Sequence, residues 1–65
     1  MDISTLIIGD RVRTVDGAVV EIVAPSEDGR WIKVRYLEST DTPKLVGTED
    51  LCTEEELAAK VGETN

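Results

Sequence analysis

The stretch that most constrains this chain is Gly9 to Val23, GDRVRTVDGAVVEIV, in which two runs rich in Val, Ile and Thr are joined through Val15-Asp16-Gly17-Ala18. An Asp-Gly pair between two such runs is a strong local signal for a β-hairpin, because glycine tolerates the positive φ that a tight hairpin turn requires. Side chains alternate across a strand, so along Arg11 to Val15 the residues Val12 and Thr14 share one face while Arg11 and Arg13 share the other. The second run, Ala18 to Ala24, is apolar on both faces, with Val20 and Ile22 on one and Val19, Glu21 and Val23 on the other. That pattern predicts a central strand, or one strongly bent within a small barrel.

The flanking segments obey the same patterning. Pro25 to Arg30 reads as a loop, and Trp31 to Leu37 as an amphipathic strand with Ile32, Val34 and Tyr36 inward and Trp31, Lys33 and Arg35 outward. Glu38 to Pro43 is a second polar loop. Lys44 to Val46, followed by Gly47, reads as a short fourth strand, and Thr48 to Leu51 as a helical turn that drops Leu51 into the core. Thr53-Glu54-Glu55-Glu56 has the spacing of a capping box, with Cys52 and Leu57 placed as a hydrophobic staple. It predicts a two-turn helix over residues 54–61 that docks through Leu57, Ala58 and Val61, ends at Gly62 and has Lys60 at its negative end. Ahead of the hairpin, Ile3, Leu6, Ile7 and Ile8 form an arm, residues 1–8, expected to cover one end of the core, with a dimer contact as the alternative.

At 65 residues the chain is expected to form a single domain. Chains of this size bury only about 60% of their unfolded surface, which leaves a small margin of stability. The formal charge of −7 is unevenly spread: residues 1–37 carry six acids and five bases, and residues 38–65 eight acids and two bases. Such a balance disfavours generic binding to phosphate backbones. The single Cys52 forms no internal disulfide, and neither a secretion signal nor a membrane span is legible, so a cytoplasmic protein is expected. The Met1 start favours a whole protein over an excised domain.

No catalytic chemistry is legible. Histidine is absent, which removes the commonest general base and metal ligand. Cys52 has no partner for nucleophilic work and reads as a structural thiol. Consecutive carboxylates at Glu54 to Glu56 diverge, and no calcium-loop pattern surrounds them, so they read as solvated capping acids. The expectation is a protein that is not an enzyme and has no metal or cofactor.

Gly9-Asp10-Arg11-Val12-Arg13, then Asp16-Gly17, a Val-rich second strand and a late Glu49-Asp50-Leu51 resemble the SH3-like small β-barrels, with a layout similar to the KOW and Tudor types of ribosome- and transcription-associated proteins. The resemblance spans residues 9–51 and implies a mainly β chain: a small SH3-like barrel of four to five antiparallel strands, followed here by the short C-terminal α-helix over 53–61. The chain departs from those groups at their binding features. Ala18 stands where KOW modules carry a further glycine, the surface is acidic, and Trp31 and Tyr36, on opposite faces of one strand, cannot form an aromatic cage or a proline-binding groove. The resemblance therefore implies architecture rather than ligand.

Three functional readings are open to such a chain. The leading one is a non-catalytic protein-interaction module, monomeric or homodimeric, with a protein partner and no membrane. The second is binding of single-stranded RNA or DNA through Arg11, Arg13, Trp31, Lys33 and Arg35, a basic face whose plainer reading is cross-strand pairing with Glu21 and cover for Val19 and Val23. The third uses the acidic surface Glu49, Asp50, Glu54 and Glu55 as a nucleic-acid mimic of phage or mobile-element type.

Overall fold

A computed structural model describes residues 2–61. They form five strands: β1 (Arg11–Thr14), β2 (Val19–Ala24), β3 (Trp31–Glu38), β4 (Glu49–Thr53) and β5 (Leu57–Lys60). All pair antiparallel in one sheet of order β4-β3-β2-β1-β5. Three-residue 3-10 turns lie at Ile3–Thr5, Pro43–Leu45 and Glu54–Glu56.

The hairpin forms as its sequence dictates. The Thr14 N–H donates to the Ala18 carbonyl at 2.8 Å and the Gly17 N–H to the Thr14 carbonyl at 3.1 Å, with Gly17 at φ +92°. The buried Thr14 hydroxyl donates to Asp16 Oδ1 at 2.6 Å and accepts from the Ala18 N–H at 2.9 Å, so its polar group is satisfied inside the turn. Alternation then builds the core: Val12, Val20, Ile22, Ile32 and Val34 point to one face and meet Ile3, Leu6, Cys52 and Leu57, with Tyr36 packed at the side. Two of the arm's four aliphatics, Ile3 and Leu6, are thus core residues, while Ile7 and Ile8 stay exposed.

The second half of the chain departs from its sequence reading. Lys44 to Val46 is not a strand; Pro43–Leu45 makes a 3-10 turn. Glu49–Thr53 is the fourth strand, where a helical turn was expected. The Gly47 N–H donates to the Tyr36 carbonyl at 2.7 Å and the Tyr36 N–H to the Thr48 carbonyl at 2.9 Å, so the chain joins β3 only beyond Gly47. Strand alternation then points Cys52 inward and leaves Leu51, the expected core residue, 53% exposed.

The expected C-terminal helix is absent as well. The Thr53 N–H does donate to Glu56 Oε1 at 2.8 Å, as a capping box requires. The box caps only the turn Glu54–Glu56, after which Leu57–Lys60 pairs with β1. Backbone bonds at both ends, from the Val15 N–H to the Glu56 carbonyl and from the Val61 N–H to the Arg11 carbonyl, fix this strand. A two-turn helix is marginal unless it docks, whereas β1 offered an unpaired edge. The expected helix end at Gly62 lies outside the described residues.

One consequence of the topology shapes the molecule. β4 and β5 occupy opposite edges of the sheet, roughly 19 Å apart were it flat, yet a single 3-10 turn that spans roughly 8 Å joins them. The sheet must therefore curl on itself and wrap its inner face around the core.

Candidate functional site

The register of the ladders places the outward side chains in ranks across the sheet. Arg11 on β1 lies opposite Glu21 on β2, Glu21 opposite Arg35 on β3, and Arg35 opposite Glu49 on β4, so charges alternate across four strands. Glu21 is flanked by two bases, but among the described residues the ion pairs of this face converge on Glu49 instead. Its carboxylate accepts from Arg35 Nη2 at 2.9 Å and lies 3.5 Å from Lys33 Nζ. The hydrogen bond from Arg35, with Lys33 beside it, holds the Glu49 carboxyl below the usual glutamate range.

The five residues of the expected basic face are thereby divided. Arg11 and Arg13 are exposed on β1, with no ion pair among the described residues. Lys33 and Arg35 are bridged. Trp31 stands four residues from Arg35 along β3, roughly 13 Å away, and two strands over from β1. The acidic group divides too. Glu49 belongs to the basic rank, and Asp50 turns its Oδ1 to the Leu51 N–H at 2.8 Å. Glu54 and Glu55 lie in the 3-10 turn between β4 and β5.

What the structure does assemble is a site around Trp31. Trp31 is 49% exposed and lines two shallow depressions. The first, about 250 Å³, is lined by Pro25, Glu27, Asp28, Trp31, Lys33 and Leu51. The second, about 340 Å³, lies among Gly29, Arg30, Trp31, Thr53, Glu54 and Glu55. Ladder pairing of Trp31 with Thr53 and of Lys33 with Leu51 brings the β4 residues here. The loop that leads into β3 is held by its own side chains: Asp28 Oδ1 accepts from the N–H groups of Arg30 (2.9 Å) and Trp31 (3.3 Å), and Ser26 Oγ from that of Gly29 (2.9 Å). Those two backbone donors, Arg30 first, hold the Asp28 carboxyl below its usual range, so it carries full negative charge beside Trp31 at neutral pH.

Of this constellation the sequence reading named Trp31, Lys33, Glu54 and Glu55, but in separate groups. It missed Glu27, Asp28, Arg30 and Leu51. The loop acids were findable, since they immediately precede Trp31. Leu51 was not, because its exposure depends on the register of β4.

Elsewhere, Cys52 faces the core, and burial first, then the carboxylates of Glu56, Asp50 and Asp16, pushes its thiol up to about 11. At neutral pH it is a protonated, enclosed thiol rather than a nucleophile. Among the described residues no three Cys, Asp or Glu side chains converge as metal ligands, and no helix is long and apolar enough to cross a membrane. Comparison of the chain with protein-family models, with curated proteins and with solved structures returned no match.

Proposed function

We propose that this chain is a small SH3-like barrel acting as a non-catalytic, cytoplasmic protein-interaction module, with its contact surface at the Trp31 end of the sheet. The observation that carries the reading is the placement of the only tryptophan. It is half-exposed at the meeting of two depressions, and on either side it is backed by a hydrogen-bonded loop and a paired strand. Rigid, partly exposed aromatics in such settings are the residue type that dominates protein–protein contacts. The strand order, the curl of the sheet and the 3-10 turn between its edge strands support the barrel assignment. The bridging of Lys33 and Arg35 to Glu49 weighs against the single-stranded nucleic-acid alternative, because among the described residues it leaves Arg11 and Arg13 as the cations of that expected face outside an ion pair. The same bridge weighs against the nucleic-acid mimic, since it takes Glu49 out of the acidic surface.

Affinity capture from a native lysate at moderate salt, run in parallel with wild type and Trp31→Ala, tests the proposal. A partner recovered by wild type and lost with Trp31→Ala is the expected result. Equal recovery by both, or recovery that instead depends on Arg11 and Arg13, overturns it.

A further inference from the structure

We infer that the Trp31 site takes a cationic side chain, lysine or arginine, carried on an extended segment of a protein partner. This rests on the interaction reading above and adds the chemistry of the partner. Trp31 is the one residue that lines both depressions, so a segment that fills both contacts it. The side groups around that contact are Glu27, Asp28, Glu54 and Glu55 against Arg30 and Lys33. Four carboxylates thus stand against two bases. A cation over an indole face is attracted by the ring quadrupole, and more strongly as it is desolvated. The carboxylates that line both depressions add to that attraction and repel phosphate or an acidic peptide. The net charge of −7 acts in the same direction at longer range and steers cationic segments toward the molecule.

The depressions are shallow, and the apolar contribution is confined to Trp31, Pro25 and Leu51. Recognition is therefore of one or two side chains on a linear segment and not of a folded surface. The hydrogen-bonded loop from Ser26 to Trp31 presents the ring and the Asp28 carboxylate already in place, which reduces the ordering cost of binding.

The test uses the full chain and three short peptides of one backbone sequence, with arginine, glutamine or glutamate at alternate positions, read by Trp31 fluorescence and backbone amide shifts. The arginine peptide is expected to give saturable shifts confined to residues 27–33 and 51–55, with binding weakened several-fold by Trp31→Ala and by Glu27→Gln with Glu55→Gln. Glu38→Gln with Asp41→Asn removes the same charge elsewhere and is expected to leave binding unchanged. Equal binding of the glutamine peptide, or equal weakening by the two charge pairs, overturns the cation assignment. Saturation of the same amides by the glutamate peptide or a single-stranded oligonucleotide, with the arginine peptide silent, also overturns it but leaves an interaction site at Trp31. If no probe shifts those amides and lysate capture is independent of Trp31, both readings fall.

Discussion

Cys52 shows at the residue scale how position sets chemistry. The native state holds the thiol proton up to about pH 11, whereas an unfolded chain releases it near the ordinary value of 9.0. A folded-state value above the unfolded one means that this contribution to stability is whole below pH 9 and declines as pH rises from 9 toward 11. We expect urea unfolding midpoints to fall across that window and the fall to be smaller in Cys52→Ala. Some slope should remain, because burial also raises the Tyr36 hydroxyl. The native protein is expected to resist thiol reagents at neutral pH that label the urea-unfolded chain at once. Gly47 makes a second case. It sits at φ +89°, and a Cβ built there meets no atom within 4 Å, so Gly47→Ala costs only backbone strain. We expect a loss of about 1–2 kcal/mol by denaturant titration, since the bond from Gly47 to Tyr36 starts the β3–β4 ladder.

Among the elements, β5 carries the largest revision and the clearest test. It closes the free edge of β1 and supplies Leu57 to the core. A chain ended after Glu56 is expected to lose its cooperative unfolding transition, and the intact chain to show a far-UV circular dichroism spectrum of β type without the paired minima of an α-helix. A helical spectrum would contradict the strand. The other edge, β4, is guarded differently. The Leu51 and Thr53 N–H groups donate to carboxylates of their own chain, Asp50 and Glu56. An edge whose donors are occupied in this way is a poor template for a further strand, which favours contact through the side chains around Trp31 over strand addition.

For the whole molecule, charge and topology act together. Fourteen acids against seven bases on one small chain repel one another in the compact state. Salt screens that repulsion at the surface, so the unfolding midpoint is expected to rise with moderate sodium chloride in thermal or urea scans; a fall would mean that the bridges on Glu49 outweigh the repulsion. Curling the sheet brings residues from either end of the sequence into one core, Ile3 and Leu6 against Leu57. The pairing of Thr53 with Trp31 brings Glu54 and Glu55 to the side of a tryptophan more than twenty positions earlier in the chain.

How much of this fold was legible in the residues depends on the range of the forces involved. The hairpin, the inward set Val12, Thr14, Val20, Ile22, Ile32 and Val34, and the outward Arg11, Arg13, Trp31, Lys33 and Arg35 were readable because alternation and turn chemistry are local. The capping box was readable too, and its carboxylate does bond the Thr53 N–H, but a local cap does not set the conformation of the residues beyond its own turn. Whether Leu57 to Lys60 would coil or extend was decided by the free edge of β1, and whether Leu51 or Cys52 would face inward by where the chain beyond Gly47 met β3. The chain by itself therefore determined a β-rich fold, an acidic surface and the residues of the first three strands. Only the tertiary structure decided β4 and β5, gave Glu49 to Lys33 and Arg35, and brought Glu54 and Glu55 to the Trp31 end of the sheet, because strand register is a contact between segments and not a property of either one.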